Sequence, residues 1–323
     1  MVLLRNQARM STLAKDSVAK LLEGMNKALV GKEEAVLMTL VTLVARGHLL
    51  IEDVPGIGKT LLGLALARSL SASFKRIQFT NDLLPSDILG LSVFSQKEGR
   101  FDFRPGPIFS NVVLADEINR STPKTQSALL EAMNERQVSI DGRTYPLDEP
   151  FFVIATENPV EYHGTFPLPE AQLDRFLARV QIGYPSPEDE RRVVQGGDLP
   201  ERLKAVEPTL SMSELLALQK QVEGVRMEES LVGYVVAIAN HTRASAAVKL
   251  GLSPRGSQAL CRAAKAFALI SGRDYCVPDD IKRVAVPVIG HRVVLDSAQY
   301  GMAKVTESER FVLQVLQEVP VPL

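Results

Sequence analysis

Short apolar runs alternate with helix-spaced stretches through the first half of the chain. Runs at 48–52, 75–80, 111–115, 151–155 and 178–182 have strand length. Between them, 59–71, a stretch near 85–90, 122–135 and 168–175 carry helical spacing. This alternation predicts a parallel sheet with helices on both faces, an α/β fold that binds ligands where its strands end. Two segments break the pattern. Ser92 to Pro107 alternates polar and apolar residues around Glu98-Gly99, and Gln137 to Leu147 does so around Asp141-Gly142, so each is expected to form a β-hairpin.

After Tyr184-Pro185-Ser186-Pro187 the strands are expected to stop. From there to Pro320 the apolar residues recur at helical spacing: Leu215, Leu218, Val222; then Val232, Val235, Val236, Ala239; then Leu260, Ala264, Phe267, Ala268. The expected organisation is an α/β domain over 1–185 followed by a small all-helical domain over 186–323. Ser253 and Pro254 read as the N-cap and first residue of a helix running to about 270. They place Arg255 in the first turn, where the helix dipole disfavours a cation. A nearby anion would account for it; a solvated surface arginine is the alternative.

The strand ends carry the chemistry. After the run ending at Ile51 come Glu52-Asp53-Val54-Pro55-Gly56-Ile57-Gly58-Lys59-Thr60 and the helix-like stretch that starts at Leu61. In a phosphate-binding loop, glycines let backbone N–H groups close around phosphate, Lys reaches the β/γ oxygens and Ser/Thr takes a magnesium position. Val54, Pro55, Gly56, Ile57, Gly58, Lys59, Thr60 and Leu61 are therefore the candidate cradle for ATP. Asp53 stands where the signature's first Gly is expected, and is expected to close the turn through αL geometry or a hydrogen bond to its own turn. Val112 to Ala115 ends in Asp116-Glu117. There Asp116, with Thr60, is placed to hold Mg2+, and Glu117 to polarise the attacking water. A plain Gly-rich turn and a solvated acidic strand end are the bland alternatives, which the pairing of both motifs argues against.

Composition narrows the function classes. The 323 residues are 46% hydrophobic with a net charge of −1, which suits about two globular domains and implies no basic surface. No Lys/Arg-rich stripe with interleaved aromatics is present, so a nucleic-acid partner is not expected. Cys261 and Cys276 lack Cys or His clustering and read as reduced core thiols. The N-terminal stretch with Arg5 and Arg9 has no apolar run long enough for secretion, and no run reaches a membrane span, so a cytoplasmic protein is expected.

In their order these features resemble the AAA+ ATPases, and the strings resemble the MoxR branch over nearly the whole chain. The strings are 52–60 already quoted, Phe-Thr-Asn-Asp-Leu-Leu-Pro-Ser-Asp (79–87), Ala-Asp-Glu-Ile-Asn-Arg (115–120), Lys-Thr-Gln-Ser-Ala-Leu-Leu-Glu-Ala-Met (124–133), Ala-Thr-Glu-Asn-Pro (155–159), Pro-Glu-Ala-Gln-Leu-Asp-Arg-Phe (169–176) and Ser-Pro-Arg (253–255). Asp53 is normal for this branch, whereas Asn81 stands where the family usually has Pro and Glu157 where it often has Gln. The resemblance implies that Asn158 is the sensor that orients the lytic water, and that Arg175 is the arginine finger for the neighbouring subunit's γ-phosphate. It also implies that Arg255 is the second sensor, and that Val30 and Gly31 pack on adenine. It makes the hairpins the two inserts that face the pore or substrate side of a homo-oligomeric ring, expected to be a hexamer. Family members remodel or activate client proteins, often with a separate von Willebrand A domain protein. A helicase or translocase, or the motor subunit of a metal chelatase, is the competing reading; Lys97, Arg100 and Arg104 of the first hairpin are offset by Glu98 and Asp102.

Overall fold

The five apolar runs pair side by side in one parallel sheet. The computed structural model describes residues 16–159, 164–196, 199–296 and 301–322; the stretch with Arg5 and Arg9 lies outside them. A helix over 16–28 (α1) and α2 (Glu33–Val44) lead into β1 (Leu49–Glu52), α3 (Lys59–Ser69), β2 (Phe74–Gln78) and α4 (Pro85–Leu89). The hairpin β3 (Gly90–Ser95) and β4 (Arg100–Pro105) follows, then β5 (Val112–Asp116) and α5 (Pro123–Glu135). A second hairpin, β6 (Gln137–Ile140) and β7 (Arg143–Pro146), precedes β8 (Phe152–Glu157), α6 (Glu170–Leu173) and β9 (Ala178–Val180). The sheet order is β2-β5-β8-β1-β9, with β1, β5 and β8 inside and β2 and β9 at the edges.

Successive strand residues point to opposite faces, so one strand feeds two cores. Leu49 and Ile51, Val112 and Leu114, Phe152 and Ile154 enter one cluster with α2 and α3. Leu50, Val113, Ala115, Val153 and Ala155 enter the other, with Leu129, Leu130 and Met133 of α5. Helix α5 starts where Thr122 accepts a hydrogen bond from the Thr125 N–H and Pro123 occupies the first turn; it ends at Arg136, in the left-handed region at φ 53°. Both hairpins form at their turn dipeptides. Asp141 and Gly142 take φ of 50° and 75°, the pair of left-handed residues a two-residue turn of this hand requires. Phe103 of β4 stacks on Tyr145 of β7 at 4.0 Å, so the two hairpins lie against each other.

The remaining helices are α7 (Pro187–Gln195), α8 (Leu199–Lys204), α9 (Met212–Glu223), α10 (Glu229–Ala244), α11 (Pro254–Ile270), α12 (Pro278–Ile289) and α13 (Gly301–Glu318). The apolar faces of α9 to α13, with Leu203 of α8, join the same cluster as α2 and α3, so sheet and helices share a core on that side; α7 buries no residue. Three expectations need correction. Strands do not stop after 187: β10 (Val248–Leu250) and β11 (Val294–Leu295) pair antiparallel, too short to show an alternation in sequence. On α10 the buried stripe is Leu231, Tyr234, Val235, Ile238, Ala239 and Thr242, and Val236 is 46% exposed. Both cysteines are free, but only Cys276 is buried; Cys261 is half-buried.

Candidate functional site

Strand β1 delivers the chain into the glycine loop at the C-terminal end of the sheet, and α3 leaves from it. Gly56 and Gly58 hold φ of 85° and 102°, and a Cβ on either would meet nothing within 4 Å, so their outer sides open onto free space. The first N–H groups of α3 have no acceptor inside the helix and carry its positive dipole end. The cavity here has a volume of about 570 Å3, within the range of nucleotide-sized sites. Val30, Pro55, Gly56, Ile57, Gly58, Lys59, Thr60, Leu61, Asp116, Glu117 and Asn158 all line it. The structure therefore brings the loop, the acidic pair and the end of β8 together around one space.

Asp53 closes the loop, though not through αL geometry, since it is absent from the residues with positive φ. Its buried carboxylate instead accepts the Val54 N–H at 2.8 Å through Oδ1, and the Ile182 and Gly183 N–H groups at 2.8 and 2.6 Å through Oδ2. Val54 itself is held back in this turn, outside the cavity lining. Lys59 Nζ donates to the Asp53 carbonyl and, at 3.4 Å, to the Glu157 carbonyl. Burial pushes its pKa down, against Asp53, Asp116, Glu117 and Glu157, which pull it up. Gly31 also stands outside the lining. At φ 69° it lets α7 approach, because a Cβ there would lie 2.2 Å from Asp189 Oδ2.

The acidic pair is held from the two strands that flank β5. The Thr156 hydroxyl on β8 donates to Asp116 Oδ1 at 2.7 Å and accepts the Glu117 N–H at 2.8 Å. Arg76 on β2 grips Asp116 Oδ2 at 3.0 and 2.6 Å, and Gln78 donates to Glu117 Oε2 at 2.8 Å. Arg120 also pairs with Glu117 at 3.1 Å. Glu117 sits at φ 57°, a left-handed conformation that costs a non-glycine residue on the order of 1 kcal/mol and recurs at functional sites. The Asp116 and Glu117 carboxylates and the Thr60 hydroxyl, all lining the cavity, are oxygen donors of the kind magnesium takes. When bound, magnesium would supply charge neutralisation for phosphate oxygens, with Thr60 and Asp116 as its protein contacts.

Beneath the site lies a half-buried pair of carboxyls, Glu52 and Glu157, side by side on β1 and β8. Burial first, then the neighbouring Glu52, raise the Glu157 pKa to about 8, while Arg179 and Lys59 act the other way. Burial also raises Glu52, opposed by Arg179, which it meets at 3.2 Å.

Arg175 and Arg255 do not enter the cavity of their own chain. Arg175 follows α6 at the opposite end of the sheet from the glycine loop and donates to the Leu130 carbonyl at 2.6 Å. Arg255 opens α11 behind the Ser253 cap, bonds Asn134 Oδ1 at 3.2 Å and lies 3.8 Å from Asp174. Both therefore stand beside the last turns of α5.

Arg76, Gln78, Thr156, Lys32 and Arg202 contribute to the site without belonging to either motif. Thr156 sits within the string 155–159, and Arg76 and Gln78 alternate on an edge strand. Lys32 and Arg202 carry no local signal.

A parallel sheet whose strand ends hold a glycine loop and an acidic pair around one cavity defines a P-loop nucleotide-binding fold. The family model for the ATPase family associated with various cellular activities (AAA) matches residues 48–178, and that for the AAA lid domain matches 240–311. Chaperone MoxR1 of Mycobacterium tuberculosis is 43% identical, over 92% of this chain and 80% of its own. Protein MoxR of Methylorubrum extorquens is 32% identical over 99% of both. Protein YeaC of Bacillus subtilis is 48% identical over 95% of both. The crystal structure of an ATPase candidate from Cytophaga hutchinsonii superposes with a TM-score of 0.88 at 36% identity, covering all of both chains. The chain belongs to the MoxR-type AAA+ ATPases. Among the described residues no helix is long and apolar enough to cross a membrane.

Proposed function

We propose that this chain is a magnesium-dependent ATPase that works as a ring, a hexamer, and couples hydrolysis to the remodelling or activation of a client protein. Residues 1–185 form the nucleotide-binding part and 186–323 the helical lid. Lys59 binds the β/γ phosphates, Thr60 and Asp116 hold magnesium, Glu117 polarises the lytic water and Asn158 orients it. The observation that carries this reading is the shared cavity: these five side chains, from three separate segments, line one space of about 570 Å3. Arg175 and Arg255 lie outside it, which supports a role toward the next copy's phosphates. A von Willebrand A domain protein is the proposed separate partner. The hairpins, whose exposed Phe94 and Phe101 pack at 5.3 Å, are the proposed client-facing elements. Arg100 is bound to Glu98 and Asp102, which leaves the first hairpin poorly suited to a phosphate backbone.

The test separates binding from chemistry. Glu117→Gln should keep ATP affinity within a few-fold while turnover falls at least ~100-fold, and Lys59→Ala should lose at least ~10-fold in affinity. Equal loss of affinity in both variants overturns the roles. ATPase stimulation by DNA at moderate salt favours the nucleic-acid motor instead.

A further inference from the structure

A cavity of about 670 Å3 lies away from the nucleotide site, between the end of α2, the C-terminal half of α9 and the facing sides of α10 and α11. Val222, Val232 and Val236 give it an apolar wall, including the Val236 side chain that helical spacing assigns to the core and the fold leaves 46% exposed. Its mouth carries four cations, Arg46, Arg136, Arg262 and Lys265, against one carboxylate, Glu223. Arg46 and Arg136 are both engaged by Glu149 at 2.9 Å, whereas Arg262 and Lys265 have no hydrogen-bond or ion-pair partner among the described residues. Burial first, then the cations Arg136 and Arg255, lower the pKa of Arg262, which keeps an exposed flank. An apolar wall beside unanswered cations fits a partner that presents an aliphatic side chain next to a carboxylate.

Helix α7 presents that pair. One side of it faces its own chain: Asp189 lies against Gly31 and Val193 lines the nucleotide cavity. Glu190 and Val194, four residues apart and so on one face, are exposed, Val194 by 79%, and the Glu190 side chain makes no hydrogen bond or ion pair among the described residues. We propose that α7 of one copy seats Glu190 and Val194 in the α9–α10–α11 cavity of the next, against Arg262 and Val236.

The seat rests on the ring reading. If Arg175 and Arg255 reach a neighbour's nucleotide, whatever flanks that nucleotide meets whatever flanks the two arginines. Arg262 lies two turns beyond Arg255 on α11, roughly 10 Å along the axis. Helix α7 starts beside the nucleotide cavity and is about 13 Å long, so the two stretches match in length.

Sedimentation velocity with ATP, in the Glu117→Gln background that is expected to hold nucleotide, gives the test. Glu190→Arg and Arg262→Glu should each raise the concentration for half-assembly by about tenfold, and the double reversal should return it to within about threefold of the parent. Val194→Ser should weaken assembly with no change of charge, and guards against a misfolded charge variant. If the parent stays monomeric at every concentration, the ring reading falls and the seat with it. If the parent assembles but the single reversals assemble as it does, or the double is no better than the worse single, the seat alone is overturned and the cavity belongs to another partner.

Discussion

Thr156 ties together the two residues that divide the work of the proposed hydrolysis. One hydroxyl fixes the Asp116 carboxylate and the Glu117 backbone, so Thr156→Val should cut turnover by roughly tenfold with ATP affinity changed less than threefold, and Thr156→Ser should restore it. Steady-state kinetics beside nucleotide titration checks this. Glu157 gives a second residue-level test. Its folded pKa, about 8, lies above the unfolded value near 4.5, so the folded chain holds the proton more tightly. The stability this contributes is complete below about pH 4.5 and is lost as pH rises through 8. Glu157→Gln removes that titration: its melting temperature should match wild type near pH 4 and exceed it by several degrees at pH 8 to 9, on the order of 3 kcal/mol. A difference that is flat with pH would sink the assignment. Buried His48, whose pKa falls to about 4, destabilises both proteins equally as pH drops below 6.5, so it leaves the difference untouched. Lys59, Thr60 and Asp116 were legible because their meaning lies in local spacing. Arg76, Gln78 and Thr156 were not, because their contacts run across the sheet, between strands that sequence distance separates.

At the scale of elements, the glycine loop, both hairpins and the capped helices α5 and α11 are readable because each carries its own signal: turn dipeptides, Ser or Thr caps, proline in the first turn. The β10–β11 pair is not, since strands of three and two residues depend on distant chain meeting. Nor is the buried face of α10, whose apolar stripe is wider than its neighbours cover. The approach of α7 to the loop before α2 depends on one glycine. Gly31→Ala adds a methyl 2.2 Å from Asp189 Oδ2 at a φ that side chains resist. It should cost about 2 kcal/mol in chemical unfolding and weaken ATP binding by displacing α7 from the cavity edge. Unchanged affinity would show that α7 takes no part in holding nucleotide.

The whole molecule has a nucleotide cavity at one end of its sheet and two arginines beside the other, so under the proposed ring reading one copy's arginines serve the next copy's cavity. Rings of Arg175→Ala should bind ATP yet hydrolyse it at least ~100-fold more slowly, and rings of Lys59→Ala should bind poorly. Mixing them places an intact Lys59 against an intact Arg175, so activity should partly return. If mixed rings form and no ratio exceeds the sum of the separate activities, Arg175 is only the tie to Leu130 seen in the single chain. The shared core beneath the sheet and α9–α13 limits how far the helices can swing alone, which gives the Asp53 carboxylate a mechanical meaning. Where a glycine would leave the phosphate loop slack, Asp53 tethers it to Ile182 and Gly183, the start of the segment that becomes α7. A displacement of the loop by phosphate is expected to reach 182–183 through these two hydrogen bonds. Asp53→Gly should keep the loop's grip on nucleotide within a few-fold while erasing the ATP-dependent change in amide exchange over 182–196 that the intact tether produces.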